Sequence, residues 1–346
     1  MISHTASARQ FRRVLAILFL FAIAAGTIWT FRPEHSSPGL VLYAATGYAP
    51  EVARAFTRKT GISVTLINMS TGPLLARVSA EGHRPAWSLV WFDGDAAAAA
   101  LDHAGLLAKQ SIPPLSWTAS GRALLPADGS YTPTGITLAG VFMLPVGAGL
   151  PADPWGWLQA PDATGHFGLA NPQLSGPAYV TLAGMLAQHG GWPQGQGYVD
   201  GLQKNGMRLY PVNGSVLQAL EAHQISIAVV QSSAAFALAN KNHAYRVVIP
   251  TPAAILPSVI AIAADQNPAR TAQAEAFIRF VMSPEIQKLR MSSSVSDSLY
   301  WPVTEDAPAP SHLPPLAGIT LLRLDPIDWG RREAEIGTWF DGITQP

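Results

Sequence analysis

The chain has 346 residues, 48% hydrophobic and only 13% charged, with 22 basic against 22 acidic side chains. That balance excludes a nucleic-acid binder working through a broad basic surface, which needs clustered Lys and Arg; 10 Trp, 8 Tyr and 12 Phe exclude a disordered chain. Cysteine is absent, which removes disulfides, thiolate metal sites, cysteine nucleophiles and a lipid-modified N-terminal cysteine.

Arg9, Arg12 and Arg13 precede Val14–Phe31, a run without one charged residue. As a helix rising 1.5 Å per residue the run would extend about 27 Å, close to the thickness of a bilayer's hydrocarbon core. Basic residues ahead of an apolar run keep the first residues in the cytoplasm. Two readings stay open for residues 1–33. One is a signal peptide cleaved among the small residues near Ala22, Ala24 and Ala25. The other is an uncleaved anchor with Trp29 and Phe31 at the far interface. Both place the rest of the chain in the periplasm or on the outer face of the cytoplasmic membrane, after a short linker at Pro33–Gly39.

Leu40–Ala45 reads as a buried strand. Glu51–Thr60 then sets Val52, Ala53 and Phe56 on one helical face, and Gly61 stands where a helix ends in a left-handed residue. Ile62–Asn68 is a second strand, Leu74–Gly82 a helix, Ser88–Phe92 a third strand, followed by an alanine-rich helix through His103. A second unit repeats the grammar, with strands at Gly140–Pro145, His166–Ala170, Met207–Val212, Ile225–Gln231 and Val259–Ala264. Its helices are Val180–His189, Val216–His223, Ala234–Asn240 and Thr271–Met282, and the tail carrying Trp329, Trp339 and Phe340 packs back as a helix. Strands alternating with helices predict open, mostly parallel α/β sheets flanked by helices.

Ligands bind at the carboxyl ends of strands in such sheets. Those ends hold Thr46-Gly47, Ser70-Thr71-Gly72, Asp93-Gly94-Asp95, Ser175-Gly176, Asn213-Gly214-Ser215 and Gln231-Ser232-Ser233. A hydroxyl beside glycine at a helix start is either an N-cap or an anion donor backed by the helix dipole. Recurrence in both units favours the donor role, because two helix termini facing across a cleft can hold one anion. Asp93 is either a helix cap or the partner of a ligand amine, Asp95 more simply a cap, and Tyr179 either closes over a ligand or packs.

Metalloprotease, nucleophile-elbow and P-loop motifs are missing. Gly195-Gln196-Gly197 is followed by Gly201, out of step with the dinucleotide pattern, and reads as a loop. The nine histidines form no pair at helical metal spacing. These absences predict no catalytic residue, no metal and no cofactor. A hydrolase would need a base beside Ser175 or Ser233, and His166 and His243 carry no motif that supplies one.

The chain resembles the solute-binding proteins of bacterial ABC importers, in the two-lobed type II branch of ferric-ion, phosphonate and sugar-phosphate binders. The resemblance rests on VLYAATG (Val41–Gly47), AFTRKTGISV (Ala55–Val64), STGPLLARVSAEG (Ser70–Gly82), SLVWFDGDAAAAALDHAGLL (Ser88–Leu107), LANPQLSGPAY (Leu169–Tyr179) and AEAFIRFVMSPEIQKL (Ala274–Leu289). It implies a two-lobe periplasmic-binding-protein fold, with 34–136 and 260–346 as the first lobe and 137–259 as the second. Crossings then fall near Thr134–Val146 and Ile249–Ile262, and Thr134 joins the candidate ligand residues. The family's iron ligands fall here on Gly47, Pro73 and Ser233-Ala234, none of which holds a hard trivalent cation.

The implied function is capture of a small, anionic, phosphonate- or phosphate-like solute by a monomer that delivers it to an ABC permease. Nucleic acid is not a partner, and the membrane is one only through an uncleaved N-terminal helix. If the solute also bears an amine, Asp93 pairs with it. The rival is an anchored periplasmic solute-sensing module, disfavoured because no second span follows the globular part.

Overall fold

In the computed structural model, which describes residues 39–292 and 295–344, the apolar runs assemble into two sheets with helices against them. The leader or anchor read at 1–33 lies outside the described residues. Among the described residues, no helix is long and apolar enough to cross a membrane.

The chain opens with β1 (Leu40–Ala44), α1 (Ala49–Thr60), β2 (Val64–Asn68), α2 (Thr71–Glu81), β3 (Leu89–Asp93) and α3 (Asp95–His103). β1 pairs in parallel with both β2 and β3. α1 forms because its apolar face buries Val52, Ala53 and Phe56, and Gly61 closes it at φ 75°. After the short α4 (Ala119–Arg122) comes β4 (Thr132–Ala139), and the chain crosses at Gly140 into β5 (Val141–Pro145).

The second sheet is completed by β6 (Phe167–Ala170), β7 (Arg208–Tyr210), β8 (Ile227–Val230) and β9 (Tyr245–Val248), in the order β7-β6-β8-β5-β9. Its helices are α5 (Pro154–Trp157), α6 (Gly176–Gln188), α7 (Gln196–Lys204), α8 (Asn213–Glu221) and α9 (Ser232–Lys241). The chain then returns to the first sheet in β10 (Ala253–Ile262), followed by α10 (Pro268–Val281), α11 (Pro284–Ser292), β11 (Leu321–Leu322) and α12 (Pro326–Thr344).

Within each sheet the strands joined by helices are parallel, while the crossing strands enter from the opposite end. β10 is therefore antiparallel to β3 and β4, and β5 is antiparallel to β8 and β9. Residues 137–139 and 253–259, read from sequence as second lobe, are strand residues of the first sheet. Both β4 and the first half of β10 escape the sequence pattern for one reason. Proline and glycine interrupt them, at Pro133, Gly135 and Pro257, and a register shift between Ser258 and Val259 accommodates the break. The glycine-rich 195–201 segment, read as a loop, is largely helical in α7, because Tyr198, Val199 and Leu202 bury one face.

α12 ties the two halves together. On the first-lobe side Gly330 packs so tightly on α3 that an added Cβ would lie 2.3 Å from the Ala96 carbonyl oxygen. Ile336 and Phe340 bury instead among Phe142, Leu182 and Met185 of the second lobe. The Tyr179 hydroxyl of α6 donates to the Trp329 carbonyl at 2.6 Å, and Gln173 Nε2 donates to Asp341 at 2.9 Å.

Beneath the first sheet's strand ends lies a fully buried cation. The Arg290 guanidinium sits 4.4 Å from the Tyr300 ring centroid, 4.7 Å from Tyr48 and 5.1 Å from Trp91. It donates to the Thr134 carbonyl at 3.0 Å and the Tyr48 hydroxyl at 3.2 Å. Three aromatic faces take the place of water around the charge. Arg290→Ala opens a cavity, removes these contacts and orphans a buried carbonyl, at a cost on the order of 3 kcal/mol. The denaturation midpoint should fall accordingly; an unshifted midpoint would remove Arg290 from the framework.

Candidate functional site

Where the two sheets' strand ends meet, a cavity of about 310 Å³ opens between Ala45, Ser70, Thr71, Asp93 and Asp297 on one side and Ser175, Pro177, Val212, Asn213, Gly214 and Gln231 on the other. The starts of α2, α6, α8 and α9 converge there, since Ser70, Ser175, Val212 and Gln231 are their N-cap residues. None of the four makes a side-chain capping hydrogen bond. Simple capping therefore does not explain the two serines, and the first-turn amides carry the positive ends of four helix dipoles toward the cavity.

The negative side of the cavity comes from Asp93, at the end of β3, and Asp297, from the segment after α11. Asp93 is 6% exposed and accepts from Gln231 Nε2 at 2.9 Å, a bond that joins the lobes across the cavity. Burial lifts its carboxyl to about 7, helped by the Asp297 charge and restrained by Gln231, Ser258 and Arg290. Asp297 accepts from the Gly47 amide. Among the described residues, neither lysine nor arginine lines the cavity.

Of the residues singled out from sequence, Ser70, Thr71, Asp93, Ser175, Asn213 and Gln231 line this cavity. Others build its surroundings. The Gly72 amide donates to the Leu174 carbonyl at 3.2 Å, closing one lobe on the other. An added Cβ on Gly176 would lie 2.5 Å from the Asp93 carbonyl oxygen, so only glycine allows that approach. The Gly94 amide is taken by the Pro257 carbonyl and the Gly47 amide by Asp297.

Six other candidate positions stand outside the lining. Tyr179 does not close over the cavity, because its hydroxyl is spent on the Trp329 carbonyl of α12. The Thr134 hydroxyl accepts from the Trp91 indole at 3.1 Å and donates to the Ser258 carbonyl, inside the first lobe. The Ser232 hydroxyl accepts from the Leu138 amide at 2.9 Å, bracing the crossing strand. Thr46 and Ser233 are buried with hydroxyls that find no partner among the described residues and stand outside the lining, as does Ser215. Asp95 pairs with Arg323 at 3.2 Å. Asp297 escaped sequence reading because no strand-end motif marks it; only the fold brings residue 297 beside residue 47.

The family of bacterial extracellular solute-binding proteins matches residues 51–315. The chain belongs to that family. No curated protein sequence matches it significantly. Solved structures share the fold at low identity. AfuA from Actinobacillus pleuropneumoniae, with exogenous fructose-6-phosphate bound, superposes at TM-score 0.78 and 19% identity over 89% of this chain and 99% of its own. Iron-bound HitA from Pseudomonas aeruginosa gives 0.72 and 22%, over 89% and 99%. A periplasmic thiamin-binding protein gives 0.70 and 17%, over 91% and 99%. The two-lobed periplasmic-binding fold is thus shared by this solute-binding protein, while the solutes named in those structures differ widely.

Two buried acids and the half-buried Glu333 give the protein an inverted pH dependence. Burial raises Asp93 to about 7, Asp95 to about 6 and Glu333 to about 7. Between the ordinary carboxylate range and those values the native state holds protons that the unfolded chain releases, so stability falls as pH rises. The thermal midpoint should be higher at pH 5 than at pH 8, and Asp93→Asn should flatten the difference. A midpoint rising from pH 5 to pH 8 would contradict the burial of these groups.

Proposed function

We propose that this solute-binding protein captures a small zwitterionic solute outside the cytoplasmic membrane and delivers it to an ABC permease. The observation that carries this reading is charge geometry: four helix N-termini and two carboxylates face one cavity of about 310 Å³ between two lobes. An anionic group suits the amides and hydroxyls of Ser70, Thr71, Ser175 and Asn213. A purely anionic solute, expected from the sequence, sets its charge against the carboxylates of Asp93 and Asp297. A solute with a cationic end opposite those carboxylates satisfies both halves, as an aminoalkylphosphonate does. The cavity is at the small end of ligand pockets, which favours a compact solute.

Capture proceeds by hinge bending about the crossings at Gly140 and 249–252. Opening breaks the Gly72–Leu174 and Asp93–Gln231 hydrogen bonds, and solute bridging the lobes restores closure. Driving the equilibrium from 1:99 to 99:1 takes about 5.5 kcal/mol of differential affinity. Two to four charge-assisted hydrogen bonds at roughly 1.5–3 kcal/mol each supply it. The protein acts as a monomer and not as an enzyme. Its closed form docks on the permease, and a separate cytoplasmic subunit hydrolyses ATP. The N-terminal apolar run serves as the export leader or as a tether that raises local concentration near the permease.

Calorimetry with 2-aminoethylphosphonate and ethylphosphonate separates the two ends. The amine-bearing solute should bind at least tenfold more tightly at pH 8, and its advantage should shrink as pH falls through about 7 and Asp93 protonates. Asp93→Asn should erase that advantage, and Ser70→Ala with Thr71→Ala should weaken both solutes. Equal affinities for the two solutes in the unmodified protein would overturn the zwitterion reading.

A further inference from the structure

A second cavity, of about 420 Å³, lies beneath α12 and shares only Thr71 with the first. Its walls are small and apolar: Leu75 and Ala76 from α2, Ala97 and Ala100 from α3, with Gln173 from the turn before α6. α12 supplies Glu333, the one titratable side chain among the described residues of the lining. No hydrogen bond or ion pair among the described residues engages that carboxylate. Burial alone raises it to about 7.

The groups around Glu333 do not neutralise it. Tyr179, on α6, feels the Glu333 charge but gives its hydroxyl to the Trp329 carbonyl. Arg332, next to Glu333 on α12, donates to the Trp192 carbonyl at 3.2 Å. α2, α3 and the 172–176 turn bring no titratable side chain to the cavity. A carboxylate partly stripped of water and lacking a counter-ion stabilises whatever cation reaches it. The apolar walls decide which cation. A hydrated metal ion would need several oxygen ligands where one carboxylate stands, whereas an alkyl chain buries against Leu75, Ala97 and Ala100.

We propose that the cavity beneath α12 is a second binding site, for a small alkylammonium cation, with Glu333 as its counter-ion. The site does not rest on the zwitterion reading of the first cavity. Its walls come from both lobes and from the helix that ties them, so an occupant adds contacts only to the closed arrangement. Binding there and binding in the first cavity therefore reinforce one another.

The test is calorimetric titration of n-butylammonium chloride into the full chain carrying Asp93→Asn and Asp297→Asn, which removes the carboxylates that would hold a cation in the first cavity. One site per chain should remain. Adding Glu333→Gln should weaken it at least tenfold, and Ala76→Phe, a filling change at an exposed position, should block it without disturbing the core. Affinity should fall about tenfold between pH 8 and pH 6 as Glu333 protonates. Binding that disappears with Asp93→Asn and Asp297→Asn, or that persists undiminished in both Glu333→Gln and Ala76→Phe, overturns the proposal. A first cavity that fails to distinguish aminoethylphosphonate from ethylphosphonate leaves this outcome untouched.

Discussion

Asp93 is the point through which the two lobes are coupled. It ends β3 in the first sheet, accepts from Gln231 at the start of α9 in the second, and its carbonyl oxygen packs against Gly176. A carboxylate buried to 6% exposure is costly unless compensated, and here the compensation is spread over both lobes. Gln231 reaches it from one side, while Ser258 and the caged Arg290 act from below. Moving the lobes apart removes part of that compensation, so the protonation of one side chain and the geometry of closure are linked.

The surroundings of the cavity explain why its polarity is mixed. Helices following parallel strands all begin at the same edge of their sheet, so their N-termini gather wherever two such sheets meet. That places α2, α6, α8 and α9 together whatever the ligand. The carboxylates are an addition to this scheme and depend on particular residues. Asp93 comes with β3, and Asp297 arrives on the segment that follows α11, whose position Arg290 fixes through Tyr48, Tyr300 and Trp91. An aromatic cage away from the cavity thus helps set the charge inside it.

α12 adds a constraint that a two-lobed molecule does not require. Its contact with α3 is made of small residues and close backbone approach, its contact with the second lobe of large side chains and hydrogen bonds. The first kind of surface tolerates sliding better than the second, since interlocked side chains must unpack before they move. A shear of α12 over α3 therefore fits opening better than its release from α6 and α7.

Composition, the alternating strands and helices, and the hydroxyl-rich strand ends were enough to establish an α/β fold and to select Ser70, Thr71, Asp93, Ser175, Asn213 and Gln231, because those features are local: a strand of five residues and the helix start after it carry their own pattern. What the sequence did not carry was non-local. β4 and the start of β10 are held by pairing across the sheet despite Pro133, Gly135 and Pro257, and α7 by burial of Tyr198, Val199 and Leu202 despite its glycines. The inward hydroxyls of Thr46, Thr134, Ser232 and Ser233 and the capture of Tyr179 by Trp329 depend on which face of a helix or strand meets its neighbour. Asp297 beside Gly47, and Glu333 over α2 and α3, join residues hundreds of positions apart. Charge balance within a cavity is a sum over such distant groups, so only the tertiary structure decided that this one is acidic as well as rich in helix N-termini.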